Sequence, residues 1–373
     1  MDYYTLGHSG LRVSRLALGT MTFGEDWGWG SDGGVSRQIF DAFVEAGGNL
    51  FDTADMYTNG RSEELLGQFV ADAGIRDKAV IATKFTFNAE PGNPNAGGNG
   101  RKNIMRAVEG SLKRLGTDYI DLYILHAWDR LTPADEVMRT FDDLVRSGKV
   151  RYVGLSDVPA WYAARAQAVA EFRGLEPVSA LQVEYSLVER SVEWEFVDLG
   201  VHQGMGMMVW SPLASGLLSG KYRPSEGDAP TVEGRLAAVA GSGNPVFDKL
   251  TARNWAIVAE LEAVAREIDR PMAQVAVNWV ANRPGVATVL VGATKLSQLE
   301  SNLAALDFTI PDDLLARLDT ASAAPKPFPY FMFGPELQGM IAGGTTVGNK
   351  HPTYRPDWTV SGAGAGVPAG EEG

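Results

Sequence analysis

The sequence predicts an α/β fold: a closed (β/α)8 TIM barrel with an N-terminal β-hairpin and a C-terminal extension. Three observations carry this expectation. Eight short apolar runs lead into a polar residue or a glycine, amphipathic stretches of helical period separate them, and no G-x-G-x-x-G follows the first run. Alternating strand and helix patterns mean parallel strands joined by helical crossovers. Eight such units can close on themselves and leave no sheet edge. An open, doubly wound sheet is the alternative, and nucleotide binding on such a sheet usually leaves that glycine fingerprint.

Residues 3–18 open the chain with two short strands about a turn built on Gly7, Ser9 and Gly10. The apolar runs follow in order. They are 16–19, then 49–51 leading into Asp52, 80–83 into Lys84, 120–125 into His126, and 152–155 into Ser156. After these come 180–181 leading into Gln182, 207–209 into Trp210, and 286–291 into Gly292. Apolar residues recur every three or four positions over 35–46, 62–71, 102–115, 133–146 and 254–268, the period of a helix. Ser62 ahead of two glutamates reads as a helix start, and Thr132-Pro133 reads as a cap followed by proline in the first helical position.

Two connections are long, 85–100 and 219–245, and both follow strand ends. Loops of that length are usually lids or disordered segments. The barrel is expected to span 1–325. An extension over 326–360, with the aromatic block 328–333, is expected to pack on it, and the small, acidic tail 361–373 is expected to be disordered.

The bulk chemistry excludes several functions. A formal net charge of −13 over 373 residues argues against a nucleic-acid or anionic-membrane surface, which needs a basic face. With no cysteine there is no thiolate nucleophile, disulfide or Cys-bound metal. The start of the chain lacks the basic-then-apolar pattern of a signal peptide, and no apolar run approaches a membrane span, so a cytoplasmic protein is expected.

Parallel barrel strands bring their carboxyl ends to one face. That face then gathers Asp52, Lys84, His126, Ser156, Gln182, Trp210 and Ser211. A buried lysine needs a charged partner, and Asp52 on the adjacent strand can supply it. Tyr57, five residues beyond Asp52, can approach Lys84. The positive charge is expected to lower the phenol's pKa toward working pH and make it a general acid. His126 can hold a carbonyl oxygen where charge develops. Trp27, Trp29 and Trp128 follow the first and fourth barrel strands and are expected to line a substrate pocket, half-buried loop packing being their other use. No metal-ligand cluster is visible.

With these residues, the chain resembles the aldo-keto reductase superfamily. The matching stretches are Asn49-Leu50-Phe51-Asp52-Thr53-Ala54-Asp55-Met56-Tyr57, Ala82-Thr83-Lys84 and Tyr119-Ile120-Asp121-Leu122-Tyr123-Ile124-Leu125-His126. Further matches run over 148–156, 182–186 and 210–222, and the likeness is greatest to the bacterial branch with a long loop after the seventh barrel strand. The resemblance implies hydride transfer from NADPH to a carbonyl carbon, with Tyr57 as proton donor, Lys84 and Asp52 tuning it, and His126 orienting the substrate. It assigns Ser156, Asp157 and Gln182 to the nicotinamide carboxamide and Trp210 to the nicotinamide ring. Ser211, Leu213, Gly216 and Lys221 fall to the pyrophosphate, and Gly292, Thr294, Lys295, Gln298 and Asn302 to the adenosine end. The chain departs from the pattern at Asp157, usually Asn, at Thr294, often Arg, and at Ser301, usually Glu. The missing Arg leaves NADH open, although Lys295 can meet a 2′-phosphate as a point charge.

The resemblance extends to the barrel subunits of potassium channels, so a cofactor-binding regulatory subunit is the second reading. A hydrolase with paired carboxylates is a weaker third, since it needs acids facing each other across a cleft.

Overall fold

The computed structural model describes residues 1–223, 236, 243 and 245–345. Most of the 219–245 connection, part of the 326–360 extension and all of the 361–373 tail lie outside the described residues. Met1–Ala323 form one compact unit and Ala324–Gly373 a second.

The eight expected runs are strands. They are β3 (Leu16–Gly19), β4 (Leu50–Asp52), β5 (Val80–Phe85), β6 (Ile120–Leu125), β7 (Val150–Ser156), β8 (Val178–Glu184), β9 (Gly206–Trp210) and β10 (Val286–Val291). They pair in parallel in chain order, and β10 pairs back onto β3 to close the barrel. Strands covered on both faces read as nearly continuous apolar runs, which is why Val286-Ala-Thr-Val-Leu-Val could be read as one.

The period of two along a strand sorts these side chains into two sets. Leu16, Leu18, Phe51, Ile81, Tyr123 and Leu125 join the large cluster shared with the helices. Ala17, Leu50, Ala82, Leu122, Ile124, Ala180, Met208 and Leu290 form a separate, smaller cluster that fills the barrel. Two residues beyond an interior residue, the side chain is again on the interior side. That parity carries Leu50 to Asp52, Ala82 to Lys84, Ile124 to His126, Ala180 to Gln182 and Met208 to Trp210. The polar set therefore stands on top of the apolar plug, at the carboxyl ends of the strands.

Four helices match their periodic stretches to within two residues, α1 (Gly33–Glu45), α2 (Arg61–Ala73), α3 (Arg101–Leu115) and α4 (Ala134–Arg146), as does Ala252–Glu267 against 254–268; α5 (Ala160–Arg173) lies outside those stretches. The later ones are α6 (Phe196–Gln203), α7 (Ala252–Glu267), α8 (Met272–Ala281), α9 (Leu296–Leu303) and α10 (Asp312–Ala321). Two start signals act differently from their expected roles. Gly60, with φ 92°, caps α2. Ser62 is fully buried and bonds Thr20 Oγ1 (2.8 Å) and Thr53 Oγ1 (2.9 Å), stapling α2 beneath the strand ends. At α4 it is Pro133 that occupies the cap, while Thr132 donates its hydroxyl to Asp129 (2.6 Å). In both cases another acceptor, long-range for Ser62 and within the preceding loop for Thr132, competed successfully for a side chain that would otherwise cap locally.

The hairpin β1 (Tyr3–Thr5) and β2 (Arg12–Ser14) closes the amino-terminal end of the barrel with buried Leu6 and Val13, which belong to the interior cluster. Gly7 presses on the backbone there: a Cβ at this residue would lie 2.2 Å from the Gly204 carbonyl oxygen. In the second unit the described part holds a short helix, α11 (Pro335–Ile341). None of residues 324–345 is buried, and within the aromatic block Phe328 contacts Phe331 and Tyr330 contacts Phe333.

Candidate active site

Lys84 is the centre of the polar set. Its Nζ donates to Asp52 Oδ1 (2.6 Å), to the Thr53 carbonyl oxygen (2.7 Å) and to the Tyr57 hydroxyl (3.2 Å), and none of the residue is exposed. Gln182 Nε2 donates to the other carboxylate oxygen of Asp52 (2.7 Å). Three strand ends and one loop thus meet on a single ammonium–carboxylate pair. Each local path is short. Thr53 N bonds the Ala82 carbonyl (2.9 Å) and Asp55 N the Lys84 carbonyl (3.0 Å), so the chain beyond β4 stays zipped to β5 up to the turn that presents Tyr57.

Burial dominates the electrostatics. It works to lower the Lys84 pKa, but the charges and hydrogen bonds of Asp52 and Tyr57 overcome it and leave the pKa raised, so the ammonium stays charged. Asp52 is also raised, by burial, against the pull of Lys84 and Gln182. For Tyr57 the sequence expectation is reversed: desolvation outweighs the attraction of Lys84 and raises the phenol's pKa. The tyrosine is therefore fully protonated in the resting site. The same desolvation that holds the proton on also strengthens the attraction between Lys84 and the phenol oxygen. Burial first, then Lys84, hold the His126 pKa well below its ordinary value. Its imidazole is neutral and carries one N–H, and its Nδ1 is buried with no hydrogen-bond partner.

The residues assigned to a cofactor lie along the mouth and beyond β10. Ser156 Oγ is buried without a hydrogen-bond partner of good geometry, though it lies close enough to the Asp157 carboxylate to help lower that group's pKa. Asp157 sits in left-handed backbone (φ 46°) and accepts from Trp210 Nε1 (3.1 Å). It is open to solvent through the mouth, yet protein surrounds its carboxylate on the other sides. That desolvation pushes its pKa up to about 6 against the Trp210 and Ser156 hydrogen bonds. Ser211 follows Trp210 with φ 56°, and its Oγ accepts from Ser215 N (3.2 Å). Leu213 precedes the turn Ala214–Ser219, and Lys221 lies against Gly216 with its Nζ over the Tyr222 ring. Exposed Gly292 begins the loop from β10 to α9. Lys295 caps α9, Thr294 N donates to Gln298 Oε1 (2.8 Å), and Asn302 is buried one turn beyond Gln298.

Aromatic rings border the mouth. Trp29 contacts Trp27 (5.6 Å between centroids), Trp27 contacts Tyr57 (6.3 Å) and Tyr57 contacts His126 (5.7 Å). Phe87 then meets His126 at 5.0 Å, edge to face. Trp128 packs on Trp161 (5.4 Å) and Tyr162 (6.1 Å) instead, because α5 begins beside it. Of the three tryptophans expected at a substrate pocket, Trp27 and Trp29 join this run of rings and Trp128 packs against α5, while Phe87 ends the run beside His126.

A model of the aldo/keto reductase family matches residues 15–323, the barrel just described. The chain belongs to the aldo/keto reductase family. By that membership it is an NAD(P)-dependent oxidoreductase. An uncharacterised oxidoreductase of Bacillus subtilis, YrpG, is 36% identical over 87% of this chain and 97% of its own length. An NADP(+) aryl-alcohol dehydrogenase of Phanerodontia chrysosporium is 33% identical over 87% of this chain and 86% of its own. A probable voltage-gated potassium channel subunit beta of Oryza sativa subsp. japonica is 38% identical over 82% of this chain and 92% of its own.

In this aldo/keto reductase several contacts and residues at the site escaped the sequence reading, which had named Gln182 but not its partner. Gln182 reaches the Asp52 carboxylate, a contact that only the barrel's curvature across four strands makes. Thr20, Thr53 and Ser62 form a buried hydroxyl cluster under the site, and lone hydroxyls give no periodic signal. Lys249 pairs with Glu184 at the β8 end (2.9 Å) from just beyond the undescribed connection. Phe87 had one clue: an aromatic residue three positions past Lys84, opening a stretch rich in Gly, Asn and Pro. Among the described residues no helix is long and apolar enough to cross a membrane, and no group of ligating side chains could hold a metal ion.

Proposed function

We propose that the protein reduces an aldehyde or ketone to the alcohol with NADPH, reversibly, and that Tyr57 delivers the proton. The observation that carries this reading is the single Lys84 ammonium bonded at once to the Asp52 carboxylate and the Tyr57 hydroxyl. When bound, the reduced nicotinamide supplies the hydride. As the carbonyl oxygen gains charge, Tyr57 gives it the phenolic proton, and the phenolate left behind is stabilised by Lys84 until solvent returns a proton. His126, neutral at working pH, donates its N–H to the same oxygen. Asp52 and Gln182 hold Lys84 in register.

The cofactor fits the donors available. Ser156 Oγ is a buried hydroxyl short of a partner, and Gln182 and Asp157 lie beside it, so this group suits a carboxamide. Trp210 offers its ring, and Ser211, Leu213, Gly216 and Lys221 the pyrophosphate loop. Gly292, Thr294, Gln298 and Asn302 receive the adenosine end. Lys295, exposed at the start of α9, favours the extra phosphate of NADPH. The NADP(+)-named relative points the same way.

The channel-subunit relative favours a second reading, a regulatory barrel with little turnover. One experiment judges both. NADPH and NADH are titrated against the protein, and cofactor absorbance is then followed over a carbonyl panel. Steady turnover supports the reductase, whereas one slow turnover on every substrate supports the regulatory subunit. Tyr57→Phe should lower turnover by about 10²–10⁴-fold, the range for losing a general acid, with cofactor affinity unchanged. Surviving turnover would remove Tyr57 as the donor.

A further inference from the structure

We infer that Asp157 sets which oxidation state of the cofactor this protein holds more tightly: its carboxylate, fixed beside the nicotinamide subsite, favours the oxidised, cationic ring over the reduced, neutral one. The inference rests on the reading of Ser156, Asp157, Gln182 and Trp210 as that subsite, which the reductase and the regulatory barrel share.

Asp157 is held from three sides. Its backbone N donates to the Gln182 carbonyl on β8 (3.3 Å), and its own carbonyl accepts from Trp128 N in the loop after β6 (3.3 Å). Its Oδ1 accepts from Trp210 Nε1 at the end of β9 (3.1 Å). The carboxylate is thereby anchored to the edge of the indole assigned to the nicotinamide ring. The left-handed backbone, φ 46°, suits Asn, Asp or Gly. Asn would meet that demand and accept the indole N–H equally well. What Asp adds is a charge.

The groups around it leave that charge unpaired. Among the described residues no lysine or arginine forms an ion pair with Asp157: Lys84 on β5 is engaged by Asp52 (2.6 Å), and Lys249 by Glu184 (2.9 Å). Arg130, in the loop after β6, lies over the Trp128 ring (6.0 Å). In the same loop His126 is neutral, and Asp129 accepts from Asn99 N (2.8 Å) and Thr132 Oγ1 (2.6 Å). The Asn99 bond also pins the 85–100 connection, expected from sequence to be a lid or disordered, to this loop. Tyr57, in the loop after β4, keeps its proton. Desolvation is the main influence on Asp157; Glu184 on β8 adds to it and Lys84 opposes it, and the pKa stands at about 6. Asp157 is therefore an anion at pH 8 and mostly a neutral acid at pH 5.

A carboxylate tells the two forms of the ring apart by charge, since their shapes are nearly the same. As a hydride, a proton with two electrons, leaves the ring for the carbonyl carbon, the ring gains a positive charge and Tyr57 gives its proton to the carbonyl oxygen. Asp157 stabilises that positive charge, so it strengthens NADPH as a hydride donor and slows the release of NADP+. An opposite charge nearby moves a carboxyl pKa by about one to three units. The lower end suits a group open to solvent, and by linkage one unit is about tenfold in affinity.

The test measures dissociation constants of NADP+ and NADPH for the parent chain and for Asp157→Asn at pH 5 and pH 8. Both forms carry the same 2′-phosphate, so its own titration cancels in their ratio. In the parent, the preference for NADP+ over NADPH should rise about fivefold from pH 5 to pH 8. At pH 8 it should exceed that of Asp157→Asn about tenfold, and at pH 5 the two proteins should agree within about twofold. A parent ratio that stays flat with pH overturns the inference, whether or not Asp157→Asn folds, and so does an equal preference in the two proteins at pH 8. None of these readings needs turnover. A chain that shows the pH effect and reduces no carbonyl compound supports the inference and sinks only the reductase reading. Binding of neither form overturns the inference together with the assigned subsite.

Discussion

Lys84 is surrounded by three oxygens because a buried ammonium must be. Removing Asp52 would leave an unpaired charge in the core, a loss on the order of 3–5 kcal/mol, so this pair serves stability as well as chemistry. Two residues before Tyr57, Asp55 is a less settled group. Burial first, and then the nearby Glu63 carboxylate, push its pKa up to about 7 against Arg114, and its Oδ1 is buried with no partner. The native chain keeps the Asp55 proton up to about pH 7, whereas the unfolded chain loses it near 3.8. Between those values the native state holds the extra proton, so unfolding free energy falls as pH rises and levels off above about 7. Asp55→Asn cannot ionise and escapes that fall. Its stability advantage over the parent should grow by about 2 kcal/mol from pH 5 to pH 8, read as a widening gap between the two thermal midpoints. A gap of the same size at both pH values would show that Asp55 does not titrate in this window.

At the scale of elements, the site depends on how closely helices and loops approach the strands. Beneath them the helices also approach one another closely, and Gly67 on α2 lies against the end of α3: a Cβ there would stand 2.3 Å from the Leu115 carbonyl oxygen and 2.7 Å from its Cα. Both atoms are backbone, so α2 and α3 would have to part. Gly67→Ala should cost about 1–3 kcal/mol despite alanine's better helix propensity. Gly33→Ala, in the first turn of α1 with its nearest atom a Leu65 methyl at 3.6 Å, should be near neutral. Urea midpoints measure both, and equal effects would count against close packing as the reason for glycine at Gly67. The helix stretches were legible because their apolar period is local. The starts at Ser62 and Thr132-Pro133 were misread because the Ser62 and Thr132 hydroxyls answer to Thr20, Thr53 and Asp129, which are distant in sequence or compete from a loop.

Over the whole molecule, the barrel confines its core to the first unit. The buried apolar side chains run from Leu6 to Leu318, and among the described residues none after Ala323 is buried. A chain ended after Ala323 should therefore fold with the parent's secondary structure by circular dichroism and bind NADPH. The difference in its unfolding midpoint measures what 324–373 contribute, the segment that includes the extension proposed to pack on the barrel. Failure of the shortened chain to fold would show that the barrel is not self-sufficient.

The number of strands, their order and the identity of the residues at their ends are local facts, written in period two and period 3.6, and the sequence by itself determined them. So too Asp52, Lys84 and His126 stood out, because ionisable groups at the ends of successive apolar runs are hard to explain by folding alone. Tertiary structure alone decided three other things. It decided that burial outweighs Lys84 at Tyr57, since desolvation depends on every neighbour and not on spacing along the chain. It turned Gln182 onto Asp52, and it set Phe87 rather than Trp128 beside His126, because closing a barrel brings together loops whose separation in sequence carries no signal.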